Sequence, residues 1–122
     1  MNAQSVRVVV VDDAKDSADT MAELLRMSGY EVWTSGNGKE ALALVDKHAP
    51  QCVLFDVVMD NVGGDELCIR LRADHGDDIV LVAVTGCSED DPRVRTSFAL
   101  ADHYFTKPLD PASLAKVLPP LA

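Results

Sequence analysis

Basic residues are scarce in this chain: eleven lysines and arginines stand against twenty aspartates and glutamates, a formal net charge of -9. That balance repels nucleic acid and anionic lipid unless a local basic patch intervenes, and the sequence holds none. Long apolar runs are missing too. The longest, Ile79 to Val84, falls far below the roughly 18 residues of a membrane span, which argues against membrane insertion. The start, MNAQSVR, lacks the basic-then-apolar pattern of a secretory signal, so a cytoplasmic protein is expected. Cysteine is limited to Cys52, Cys68 and Cys87, odd in number, widely spaced and without a CxxC. Buried or incidental thiols are therefore expected rather than disulfides or a zinc site. His48, His75 and His103 do not cluster, which argues against histidine-based metal binding or phosphohistidine chemistry. Repeats and low-complexity stretches are likewise absent.

What remains is 122 residues, enough for one domain with a real core and too few for a second. Arg7 to Val11 is a β-branched run closing on Asp12-Asp13, the pattern of a strand buried on both faces. A helix follows, with apolar positions Ala18, Met21, Ala22 and Leu25 and a stop at Gly29. Glu31 to Ser35 forms a second strand. Asn37 is the expected N-cap of the next helix, with Glu40 at its third position, and that helix must end before Pro50. Gln51 to Asp56, QCVLFD, is a third strand that breaks off on a carboxylate. After a loop containing Gly63-Gly64 comes a helix through Leu67 and Leu71, ended by Gly76. Ile79 to Thr85 is the strongest strand, followed by a small turn at Gly86. The fourth helix starts either with Ser88 as cap and Asp91 reaching back, or with Asp91 as cap and Pro92 in the first position. His103 to Phe105 is a fifth strand and Thr106-Lys107-Pro108 a turn. Asp110-Pro111 opens a last helix, and Pro119-Pro120 closes it.

Five strand patterns alternating with helical ones imply βα units around a parallel sheet, with right-handed crossovers placing helices on both faces. In such a sheet all strand C-termini share one edge, where ligands bind. Asp12, Asp13, Asp56, Thr85 and Lys107 are thereby brought to one rim. Three carboxylates there repel one another by roughly several kcal/mol per close pair, so they call for a cation. Hard oxygen ligands with room for water favour Mg²⁺ and, with it, phosphoryl chemistry. One carboxylate is a candidate nucleophile, Lys107 a candidate counter-charge and Thr85 a candidate hydrogen-bond donor. Each alone reads as a strand-end turn, strand filler or a surface charge; the combination of four strand ends is what carries weight.

VVVVDD at the first strand, VLFDVVM at the third with Gly64 eight residues past Asp56, VAVTG at the fourth and HYFTKP at the fifth give the chain its resemblance to a known family. From about Val6 to Leu118 it resembles the response-regulator receiver domain of bacterial two-component signalling. The resemblance implies an α/β fold: a doubly wound, flavodoxin-like, five-stranded parallel sheet of order 2-1-3-4-5. It implies that Asp56 is the phosphoacceptor. Asp12 and Asp13 would hold Mg²⁺, one directly and one through water, with Asp56 and the Val58 carbonyl as further ligands. Thr85 and Lys107 would contact the phosphoryl group, and Tyr104 would be the switch aromatic. A cis Lys107-Pro108 bond is suggested as well. Such a module takes its phosphoryl group from a histidine kinase or histidine phosphotransfer protein, hydrolyses it slowly, and acts as a switch rather than an enzyme on external substrates. Its output would pass through the face of the fourth helix, fifth strand and fifth helix.

The chain departs from the family pattern at several points. Asp60 stands where a proline is usual, Val58 and Cys87 occupy positions that tune dephosphorylation, Gly86 leaves access open beside Thr85, and Leu100-Ala101-Asp102 replaces the usual glycine before the fifth strand. A metal-dependent phosphohydrolase working through an aspartyl-phosphate is the alternative, disfavoured because Asp56-Val57-Val58 lacks the DxD of such enzymes. A flavin or nucleotide binder is disfavoured by the acids in VDDAKDS, where a phosphate loop wants glycine or hydroxyls. Arg93 and Arg95 read as a solvated face and Trp33 as strand packing. With one short helix after Lys107, no attached effector is expected, and KPLDPASL also resembles receivers fused to hybrid kinases. Both a stand-alone receiver and an excised one are therefore expected possibilities.

Overall fold

The computed structural model describes residues 6–57, 63–86, 92–106 and 111–118. Val58, Asp60, Cys87, Ser88, Asp91, Lys107, Pro108, Asp110, Pro119 and Pro120 lie outside the described residues, as does the side chain of Arg93.

Strands and helices alternate from end to end: β1 (Arg7–Val11), α1 (Lys15–Met27), β2 (Glu31–Ser35), α2 (Gly38–His48), β3 (Cys52–Asp56), α3 (Gly64–His75), β4 (Val80–Thr85), α4 (Pro92–Leu100), β5 (His103–Thr106) and α5 (Pro111–Ala115). The sheet order is β2-β1-β3-β4-β5 and every pairing is parallel. The expected doubly wound α/β fold is thus the observed one. β5 runs one residue beyond the expected Phe105 because Thr106 finds a partner in Thr85.

The valine run of β1 explains the layering. A strand sends successive side chains to opposite faces, and both faces of this one are buried. Val9 and Val11 join Ala41 and Val45 of α2 and Leu67 and Leu71 of α3 in one core. Val8 and Val10 join Ala18, Ala22 and Leu25 of α1 and Leu114 of α5 in the other. Branched side chains fill a pleated surface with little rotamer freedom to lose, which suits a central strand.

The helix ends follow their local chemistry. Asn37 caps α2, its side chain accepting from the Glu40 amide at 2.8 Å. α2 ends on Ala49 in the left-handed region (φ 48°, ψ 59°), an unusual place for a residue with a Cβ. Pro50 forbids another helical residue there, and the Arg7 guanidinium donates twice to the Ala49 carbonyl, at 3.3 and 3.1 Å. Beside this cap, Trp33 of β2 stacks on His48 with ring centroids 3.9 Å apart and planes 14° from parallel. The expected packing role of Trp33 therefore has a named partner. Cys52 and Cys68 are buried free thiols, as expected, and burial pushes them up to about 12 and about 11.

Candidate functional site

β1 and β3 are neighbours in register, Val11 opposite Phe55, so the residues that follow and end them emerge side by side. Asp12, Asp13 and Asp56 each offer a carboxylate oxygen within 4.8 Å of the others. Asp12 is buried, Asp56 half-buried and Asp13 exposed, so the group grades from the protein interior to solvent. Its placement comes from the backbone. The Asp12 amide donates to the Ser35 carbonyl at 3.0 Å, extending the β1–β2 ladder. Its Oδ1 accepts from the Ala14 amide at 2.9 Å, folding the chain into α1. Beyond Asp56, the Val57 amide donates to the Val84 carbonyl at 3.0 Å.

Gly64 sets the far wall. A Cβ there would meet the Asp56 carbonyl oxygen at 2.5 Å and the Val57 Cα at 2.6 Å, inside any allowed contact, so only glycine lets α3 start this close. The Gly64 amide donates to the Val57 carbonyl at 2.9 Å and ties the helix to the backbone of the aspartate. Thr85 ends the adjacent strand β4 and is fully buried. Tyr104 lies on β5 with 52% of its surface exposed. The described site residues named from the sequence are therefore gathered as expected at the carboxyl edge of β1, β3 and β4, with Tyr104 one strand further out. Val58 and Lys107 fall outside the described residues.

Sequence reading missed one wall. A cleft of about 420 Å³ runs from Asp12 and Asp56 along α1 past Asp16, Thr20 and Leu24. Residues 16, 20 and 24 recur every fourth position, so one helical stripe faces the cleft; in the sequence this half-polar stripe is overshadowed by the fully apolar one of Ala18, Ala22 and Leu25. The donor set fits a hard divalent cation of the Mg²⁺ type: three carboxylates, oxygen only, one side open to water.

A parallel doubly wound sheet with an acidic triad at the ends of its two central neighbours defines a receiver-type switch of the flavodoxin-like class. The comparisons with known proteins agree, and the chain belongs to the response regulator receiver domain family, whose model matches residues 8–119. Response regulator MprA of Mycolicibacterium vanbaalenii is 36% identical over 103 residues, covering 84% of this chain and 44% of that protein. Probable transcriptional regulator ycf27 of Porphyra purpurea is 33% identical over 114 residues, 93% of this chain and 46% of that protein. This chain spans less than half the length of these relatives. Among solved structures, the CheY-like receiver domain protein of Methanospirillum hungatei superposes with a TM-score of 0.85 at 27% identity, covering 93% of this chain and 90% of that one. The BeF3-activated DrrB receiver domain reaches 0.79 at 31% identity, covering 93% and 95%. A receiver is a phosphoacceptor signalling domain, and this chain is one by family.

Proposed function

We infer that Asp56 accepts a phosphoryl group from a histidine kinase or histidine phosphotransfer protein, and that residues 6–118 act as one receiver unit. The observation that carries this is the convergence of Asp12, Asp13 and Asp56 within 4.8 Å at adjoining strand ends. An Asp56 carboxylate oxygen attacks phosphorus, the new O–P bond forms as the bond to the donor imidazole nitrogen breaks, and that nitrogen keeps the electron pair. Asp12, Asp13 and Asp56 are the side chains that would hold Mg²⁺, together with the Val58 carbonyl. When bound, the ion neutralises charge on the phosphoryl oxygens. Lys107 pairs with the same oxygens, and the Thr85 hydroxyl donates to one of them.

Phosphorylation turns a single carboxylate charge into a larger, doubly ionisable anion. Thr85 is drawn toward it, and Tyr104 turns inward from its exposed position, changing the α4–β5–α5 face that a downstream protein reads. This is a shift between two packings of one fold. Slow hydrolysis of the acyl phosphate resets it. Among the described residues no helix is long and apolar enough to cross a membrane, which accords with a cytoplasmic module.

The test is labelling by a small phosphodonor such as acetyl phosphate. The parent takes up one phosphoryl group with Mg²⁺ and none after chelation, and Asp56→Asn takes up none. Equal labelling of Asp56→Asn and the parent would sink the assignment.

A further inference from the structure

One polar network lies far from the acidic rim and is left unused by the chemistry there. Arg72, near the end of α3, has its side chain 16% exposed and spends its guanidinium on four hydrogen-bond partners, with exposed Asp77 a looser ion-pair contact of Nη1 at 3.7 Å. Nε donates to the Leu100 carbonyl at 2.9 Å, Nη1 to the carbonyls of Gly76 at 2.9 Å and Ile79 at 3.2 Å, and Nη2 to Asp102 Oδ2 at 2.8 Å. Asp102 answers in kind. Its Oδ2 also accepts from the Leu81 amide at 2.8 Å, and its own amide donates to the Leu81 carbonyl at 2.8 Å. The last residue of α4, the start of β4 and the entry to β5 are thus held from one point on α3. Only a planar fork can do this; a lysine ammonium offers the charge without the geometry.

The opposite end of α3 is equally fixed. Gly64 sits where no Cβ fits against Asp56 and Val57, and its amide is bonded to Val57. The helix between has 12 residues, about 18 Å at 1.5 Å per residue. It is therefore anchored at one end on the backbone of the phosphoacceptor and at the other on the α4–β5 junction, two residues before Tyr104. On the buried side of α4, Val94 and Leu100 pack into the core, while the Ser97 hydroxyl has no hydrogen-bond partner among the described residues. The polar contact that ties its last residue to α3 is the Arg72–Leu100 bond.

We propose that α3 is a strut, and that the Arg72–Asp102 clamp at its end both sets the resting position of the α4–β5 junction and passes movement of the Asp56–Val57 backbone to it. The second half rests on the phosphoacceptor reading above. This route is separate from the one through Thr85 and Tyr104, because it runs under the sheet face along α3 rather than across β4. It also gives Leu100 and Asp102, from the stretch where the family has a glycine, defined contacts. Leu100 closes α4 against the core and offers its carbonyl to Arg72, and Asp102 supplies the second hook.

Amide hydrogen exchange separates the two halves. Without any phosphodonor, Arg72→Lys and Asp102→Asn should speed exchange at Leu81, Asp102 and Tyr104 by at least about tenfold, the consequence of losing a charge-assisted hydrogen bond. Amides of β1 and β3 should stay at parental rates. Exchange within twofold of the parent at the first three positions overturns the clamp. With beryllofluoride and Mg²⁺ as the phosphoryl mimic, the parent should show changed exchange over residues 100–106. Both variants should lose that change while keeping an acetyl phosphate labelling rate within twofold of the parent. An unchanged response in the variants overturns the strut. A parent that takes no label refutes the phosphoacceptor reading instead, and the comparison without phosphodonor still decides the clamp.

Discussion

At the scale of single residues, the tightest constraint on the site is a missing side chain. Gly64→Ala would push a methyl group into the backbone of Asp56 and Val57, and backbone cannot step aside as a flexible side chain can. The expected loss is about 1–3 kcal/mol of stability, read from a urea midpoint. Acetyl phosphate labelling should fall along with it, because the displaced atoms carry the reacting carboxylate. Ala49 gives the opposite prediction. Its left-handed conformation (φ 48°) strains any residue with a Cβ, whereas glycine adopts it freely at some entropic cost. Ala49→Gly should therefore raise stability by roughly 0.5–1 kcal/mol without altering labelling. Asp12, Asp13, Asp56 and Thr85 were legible in the sequence because strand ends with polar residues are a one-dimensional signal. Arg72 was not. It looks like any arginine on a helix surface, and its partner Asp102 lies 30 residues away, a relation that exists only once the chain is folded.

At the scale of elements, β-branched runs and the glycines and prolines between them made every strand and helix foreseeable. Their ends were less so. β5 gains Thr106 from a pairing with Thr85, and β4 starts at Val80 rather than Ile79; strand length is decided by the neighbour, which the segment's own residues do not encode. α3 is the element on which most depends, since it packs Leu67, Cys68 and Leu71 into the core and stands beside Asp56. Leu67→Ala should cost about 2–5 kcal/mol, the range for a buried leucine leaving a cavity. Chemical denaturation measures it, and a loss below about 1 kcal/mol would mean that α3 is not the wall described.

At the scale of the whole molecule, the ionisable groups predict losses at both ends of the pH range. Burial alone would raise the Asp102 carboxyl, but the Leu81 amide, the Arg72 guanidinium and the charge of His103 together hold it below the usual carboxylate value. A depressed folded pKa stabilises above the unfolded value and loses that contribution as pH falls through the folded one. The stability advantage of the parent over Asp102→Asn should thus shrink below about pH 4. The buried thiols act at the other extreme. With folded values of about 12 and about 11, Cys52 and Cys68 favour the native state fully below about pH 9. Above it the unfolded chain ionises first, and stability falls by roughly 1.4 kcal/mol per pH unit per thiol. Urea midpoints at pH 8, 9 and 10 check this, and Cys52→Ala should flatten the decline.

The Trp33–His48 stack turns the molecule into its own instrument. The only tryptophan in the chain reports from β2, one margin of the sheet, while Tyr104 reports from β5, the other. Emission from the indole therefore registers whether α2 remains seated on its edge and is deaf to events at β5. If both signals vanish at one denaturant concentration, the sheet melts as a unit. If, in a Tyr30→Phe protein where Tyr104 is the one tyrosine left, the tyrosine signal changes on phosphorylation while the tryptophan signal holds still, the half of the protein that moves has been separated from the half that does not, without an extrinsic label.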